Sequence, residues 1–189
     1  SAISTGVNHS CALTSAGQVL CWGVNRAGEL GDGTNIDRLT PVPVNGLSAK
    51  ASAITAGRDY TCAIVDGGVQ CWGENQIDQL GTGIDSDSHI PVNVSGLTGA
   101  TAISAGGDTS CALMSNGSVQ CWGENEFGQV GDGTDVDQSQ PRQVQGLQSQ
   151  VVDLSVGMRQ VCVLLNNGEI QCWGDGSKTA VSVTNLPGR

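Results

Sequence analysis

An all-β fold, a β-propeller built from four blades of about 50 residues, each a four-stranded antiparallel sheet, is what the sequence predicts. Three observations carry that reading. The tripeptide Cys-Trp-Gly starts at Cys21, Cys71, Cys121 and Cys172, a period of 50 or 51 residues. Apolar and polar residues alternate with a period of two, as in "QVLCWG" (18–23) and "PVPV" (41–44), which marks half-buried strands. Segments of this kind number about four per unit, and helix signals are nearly absent.

The elements keep the same order in each unit. An I/L-x-x-G segment comes first, at Ile3 to Gly6, Ile54 to Gly57, Ile103 to Gly106 and Leu154 to Gly157. A strand bearing Cys11, Cys62, Cys111 or Cys162 follows, then a short turn, then the Cys-Trp-Gly strand. A long polar loop leads to the closing segment, at "PVPVNGL" (41–47), "PVNVSGL" (91–97), "PRQVQGL" (141–147) and the weaker "AVSVTNL" (180–186). One repeat domain, 1–189, therefore divides into units at about 1–47, 48–97, 98–147 and 148–186. The last strand is placed to complete the first blade and close a four-bladed ring, a clasp that removes an open edge. An associating arc, or a homodimer sharing one larger ring, satisfies the same pattern.

The cysteines pair by register. Cys11 and Cys21 are centred on Ala16 in a three-residue turn ending in Gly17, and the third and fourth units centre likewise on Asn116 and Asn167. The second unit is one residue shorter, with Cys62 and Cys71 flanking Asp66-Gly67, a two-residue hairpin signal. Both loop lengths leave the two cysteines directly opposite, close enough to bridge. Disulfides Cys11–Cys21, Cys62–Cys71, Cys111–Cys121 and Cys162–Cys172 are expected, each worth roughly 2.7 kcal/mol by loop entropy. Such pairing points to an extracellular, periplasmic or cell-surface location; buried free thiols would be the cytosolic alternative. Zinc is disfavoured because the pairs are dispersed one per blade instead of converging on one point.

Net charge is −10 and the sequence pI about 4.3. That balance argues against nucleic acid, which calls for a basic stripe, and no apolar run is long enough to insert in a membrane. The sequence starts at Ser1 with no recognisable leader, as a processed precursor would. No cofactor motif, nucleophile elbow or phosphate-binding loop occurs, so no enzyme is expected. The Asp-rich stretches 83–88 and 131–138 lack the ligand order of a calcium loop and read as polar turns. Asn8, Asn93 and Asn116 each open a glycosylation triplet, which matters only in a eukaryotic secretory host.

The combined pattern, with "NRAGELGDGT" (25–34) and "NEFGQVGDGT" (125–134) as its strongest pieces, resembles the regulator-of-chromosome-condensation repeat in a cysteine-bearing form. The resemblance covers essentially the whole sequence and implies a propeller, commonly of seven blades. It also implies a protein-binding role, since the family includes nucleotide-exchange factors, a secreted β-lactamase inhibitor and many surface proteins. Fold alone does not decide between these.

Function is sought on the loops. Chain direction alternates, so the loop after I/L-x-x-G and the long loop after Cys-Trp-Gly share one face. That face also carries the residues that differ most between units. Arg58, Tyr60, Asp108, Met158 and Arg159 come from the first loop, and Arg26, Glu29 and Phe127 from the second. Several are types enriched at interfaces, and all eight are candidates for a protein partner. The fourth unit has only "DGSKT" (175–179) where the first has a long loop, which either notches this face or marks a terminal blade. The four tryptophans are expected to pack between blades. A non-catalytic binding module is thus the leading reading, and a self-associating structural or display repeat the alternative.

Overall fold

The computed structural model describes residues 1–184, and its strands form four separate antiparallel sheets, each ordered as in the sequence. The first blade comprises β1 (Ala2–Thr5), β2 (His9–Leu13), β3 (Val19–Gly23) and β4 (Arg38–Pro43). The second comprises β5 (Ala51–Ala56), β6 (Tyr60–Val65), β7 (Gly68–Gly73) and β8 (Ser88–Asn93). In the third are β9 (Ala100–Gly106), β10 (Thr109–Met114), β11 (Val119–Gly123) and β12 (Gln138–Gln143). The fourth holds β13 (Val151–Val156), β14 (Gln160–Leu165), β15 (Ile170–Gly174) and β16 (Ser177–Ser182). The closing segment expected at 180–186 is described only as far as 184.

The hairpins behave as their turn residues require. Asp66 and Gly67 both take positive φ, 51° and 74°, the conformation of a tight two-residue turn. In the three longer turns the left-handed position falls on Gly17, Gly117 and Gly168. Either way the register brings Cys11 opposite Cys21, Cys62 opposite Cys71, Cys111 opposite Cys121 and Cys162 opposite Cys172. All four pairs are disulfide-bonded, with Cα atoms 4.1 Å apart.

The clasp expected from the last strand does not form among the described residues. β16 pairs with β15, through Gln171↔Ser182 and Cys172↔Val181, and the first blade has its own outer strand in β4. The cause is local. Asp175 and Gly176, at φ 49° and 96°, make a second two-residue hairpin that turns the chain straight back onto β15.

Each blade is a sheet with two apolar faces, so neighbours must cover both. β1 packs on β5, β5 on β9 and β9 on β13, placing these four strands side by side along the inner wall of an arc. A hydroxyl tie recurs along that wall: the N–H groups of Ala56, Ala105 and Val156 donate to Ser4, Thr55 and Ser104 of the preceding blade. Three apolar cores result, one per blade junction. Leu13, Val19 and Leu30 meet Ala63, Val65 and Trp72; Ile64, Val69 and Leu80 meet Ala112, Met114 and Trp122; Leu113, Val119 and Val130 meet Val163, Leu165 and Trp173.

Candidate functional site

The long loop is built around one asparagine. In the first three blades the buried side chain of Asn25, Asn75 or Asn125 accepts the N–H of Leu30, Leu80 or Val130. Its amide donates to loop carbonyls, Ile36 O for Asn25, Ile84 O for Asn75 and Val136 O for Asn125. Twelve residues on, Asp37, Asp87 and Asp137 accept the same asparagines' backbone N–H at 2.7–2.9 Å. The Asp-rich stretches therefore close loops, and among the described residues no group of three metal-ligating side chains converges.

These loops also join blades. The indole N–H groups of Trp72, Trp122 and Trp173 donate to the carbonyls of Glu29, Gln79 and Gln129, each in the loop of the blade before, at 2.8–3.0 Å. Two residues after each carbonyl lies a glycine, Gly31, Gly81 or Gly131, with positive φ. A Cβ there would sit 2.8 Å from the tryptophan ring, so the close approach requires glycine. The tryptophans are thus inter-blade packing groups.

Both loop types lie on one face, as chain direction demands. The carbonyls of Asn8, Asp59, Asp108 and Arg159 accept the N–H groups of Val24, Glu74, Glu124 and Asp175. Between the first two blades this face holds a pocket of about 480 Å³ lined by Asn8, Arg26, Glu29, Asp59, Glu74 and Asp87, among others. It is markedly acidic. Burial raises the carboxyls of Glu29 and Glu74 above their ordinary values, and neighbouring carboxylates push the same way, Asp59 on both and Asp108 and Asp87 on Glu74. Glu124 is raised by burial and by Asp108 in the same manner.

The eight expected contact residues fall into two groups. Arg26, Arg58, Met158 and Arg159 are exposed, and Phe127 is half-buried. Arg159 stacks over the Phe127 ring at 4.1 Å, a cation–π contact, and beside it the acidic face gives way to cationic and apolar side chains. Tyr60, Asp108 and Glu29 are buried, which removes them from direct contact with a partner. Tyr60 reaches the next blade, with its hydroxyl 2.7 Å from Ser110 Oγ and 2.9 Å from Thr109 O. Glu29 accepts the N–H of Ala27, fastening its own loop as Gln79 and Gln129 do in theirs. Asp108 lies 3.0 Å from the Arg58 guanidinium, a charge contact without hydrogen-bond alignment. Variation between units had flagged all eight, but three of them, Tyr60, Asp108 and Glu29, are sealed by a neighbouring blade. The Asn-to-Asp spacing of twelve, three times repeated, was the unread sign of the loop's own framework.

A curved row of four-stranded blades joined by loops and open on one decorated face defines a propeller-type interaction module. The regulator of chromosome condensation (RCC1) repeat matches residues 16–64, 66–113 and 116–164, and a second description of that repeat matches 1–29 and 100–129. The chain belongs to the RCC1 repeat family, a family of protein-interaction modules. It superposes on human WBSCR16 with a TM-score of 0.87 at 20% identity, over 96% of this chain and 51% of that one. Prp20p of Saccharomyces cerevisiae gives 0.84 at 23% identity, over 98% and 52%. A shorter match, 52% identical over 42 residues, joins it to the Ras guanine nucleotide exchange factor C of Dictyostelium discoideum, covering 22% of this chain and 3% of that protein. The chain thus spans about half the length of the two matched structures and a small part of the exchange factor.

Proposed function

We propose that the chain is a non-catalytic, extracellular, periplasmic or cell-surface binding module whose loop face engages a protein partner with a basic surface. The observation that carries this reading is the pocket between the first two blades, where Asp59, Glu74 and Asp87 line a concavity above buried Glu29, with Arg26 as the nearby cation. Charge of one sign in a concave site favours encounter with the opposite charge and rejects like-charged surfaces. Met158 and the Arg159–Phe127 pair extend the same face with the residue types that anchor interfaces. Four disulfides support the oxidising compartment. Prp20p, described by its binding to Gsp1p and histones, supports protein binding in general. Exchange-factor activity is not carried over, because that match spans only 42 residues.

The test is site-directed photocrosslinking in the native extracellular fraction. Probes at positions 26, 76, 126 and 158 are expected to trap the same partner, and Glu74→Lys with Gln76→Lys to abolish the adduct. Probes at the opposite turns, positions 16, 66, 116 and 167, are expected to trap nothing. Equal trapping from both faces would overturn the reading.

A further inference from the structure

We infer that Ile36, Ile84 and Val136, one on each long loop, form a row of aliphatic teeth that docks a segment of the protein partner in which basic and apolar side chains lie together. This rests on the loop face being the seat of a basic partner, and it specifies which part of that partner is held. The three loops share a short pattern: Thr34-Asn35-Ile36-Asp37, Thr82-Gly83-Ile84-Asp85 and Thr134-Asp135-Val136-Asp137. The second copy lies two residues nearer its Cys-Trp-Gly than the others, so the pattern travels with the aliphatic residue and not with the blade register.

The local structure repeats with it. The Thr34, Thr82 and Thr134 hydroxyls accept the N–H groups of Ile36, Ile84 and Val136 at 3.2–3.5 Å. The amides of Asn25, Asn75 and Asn125 donate to the carbonyls of the same three residues. Each tooth thus has both backbone polar groups tied inside its own loop, and only its side chain is offered outward. Those side chains belong to residues 57%, 66% and 63% exposed. A lone exposed aliphatic is ordinary on a protein surface. The same clamp presenting one on three successive loops is a built feature. A residue already held in place also loses little freedom on binding.

The surroundings select the face and the occupant. Each of these loops crosses a junction whose two blades are both present, so the teeth are not bared by an open end. Val7 and Met158 add exposed aliphatics from the other loops of the same face. The hairpin turns and linkers of the opposite face carry no exposed large aliphatic among the described residues. Every tooth is followed by an exposed aspartate, Asp37, Asp85 or Asp137. The neighbouring cations are engaged elsewhere, Arg38 on Asp32 and Lys178 on Asp135. A carboxylate beside each aliphatic residue disfavours a bilayer, which would strip its water, and suits a segment in which Lys or Arg adjoins an apolar side chain. The fourth blade has the Asp175-Gly176 hairpin in place of this loop, so the row spans three loops.

The test selects random peptides of about 20 residues, the size of one side of a standard interface, displayed on phage against the immobilised chain. The recovered peptides are expected to combine Lys or Arg with Leu, Ile, Val or Phe. They are expected to bind the triple variant Ile36→Ser, Ile84→Ser, Val136→Ser about a hundredfold more weakly, and each single variant about fivefold. Because the three side chains are exposed, the triple variant is expected to keep the wild-type unfolding temperature. Glu74→Lys with Gln76→Lys alters the pocket instead and separates the two sites. Peptides lost with that pair but bound unchanged by the triple variant would overturn the row and leave the pocket standing. Peptides lost with the triple variant alone would uphold the row and remove the pocket. Peptides insensitive to both, or rich in Asp and Glu, would overturn both. Binding of the chain to phosphatidylcholine vesicles that the triple variant abolishes would make a bilayer the occupant and overturn the proposal too.

Discussion

Among the described residues, blades two and three each pack against two neighbours, and blades one and four against one. Every residue of β6 is buried, yet β1, whose Ile3 matches Ile54 of the second blade, is almost wholly exposed. At the other end, Leu164, Val181 and Val183 stand partly open on the last blade. The sequence pattern is the same in all four units, so burial here belongs to the junction and not to the blade. A single blade has too little core to stand alone, and its stability is a sum of its own hairpins and the junctions it makes.

The sharpest way to break that comparison is to truncate one tryptophan at a time. Trp122→Ala removes a fully buried ring and the acceptor pair with Gln79 O, and is expected to cost about 3–5 kcal/mol. Trp22→Ala, at the uncovered end, is expected to cost about 1 kcal/mol or less. Chemical denaturation of the two variants measures both. Equal losses would mean that the tryptophans act within blades instead of between them.

A second contrast separates the junctions by pH. His9 and Tyr60 hold equivalent places, each reaching a hydroxyl of the next blade. The Thr61 hydroxyl donates to Glu29 O, so His9 Nε2 donates to Thr61 Oγ1 at 2.9 Å, and Nδ1 is left buried without a partner. Burial holds His9 neutral, with its pKa down to about 4 from 6.5. Burial pushes the Tyr60 phenol up, away from any physiological range. For His9 the folded pKa lies below the unfolded one, so its stabilisation is complete above pH 6.5 and drains away as pH falls toward 4. Between pH 7 and 4.5 the loss is about 2–3 kcal/mol. The buried carboxyls of Glu29 and Asp108 and the half-buried one of Glu74 act in the opposite sense, since protonation relieves them. Comparing wild type with His9→Gln in urea at the two pH values isolates the histidine. Parallel behaviour of the two proteins would sink the assignment.

Much of this was legible in the residues. The period, the strand alternation and the turn chemistry led to the sheets, and the turn lengths led to all four cysteine partners by register. Interior packing of the tryptophans was also readable, because one recurs at a fixed offset from each strand cysteine. The end of the chain was misread although its signal was plain: Asp175-Gly176 is the same hairpin dipeptide as Asp66-Gly67. The clasp was read from the order of segments, an opening-type strand at the start and a closing-type strand at the end, and that order fits an open arc equally well. Burial of Tyr60, Glu29 and Asp108 was not readable, since it depends on which residues of the neighbouring blade arrive opposite, some 50 positions away.

The smallest effect concerns the junction of blades two and three, where the loop face and the interior meet. Arg58 lies over buried Asp108, and its backbone bridges two blades by accepting from Val7 and donating to Gly107 O. Arg58→Ala keeps those backbone bonds and removes only the guanidinium. Asp108 is raised by burial and by Asp59, and Arg58 and the Gln79 amide hold it down. Without the arginine its folded pKa climbs further, so the variant is less stable wherever Asp108 is ionised, by about 1 kcal/mol at pH 7 for a half-exposed arginine screened by solvent. As pH falls below that raised value the carboxyl protonates and the penalty fades, until variant and wild type converge. An end-blade control makes the point specific. Arg159 stacks on Phe127 over no buried carboxylate, so Arg159→Ala is expected to shift stability by about 0.5 kcal/mol. Its loss should also be indifferent to pH. If Arg58→Ala also proved flat with pH, Asp108 would be neutral already in the native protein. The acidic face would then end at the second blade.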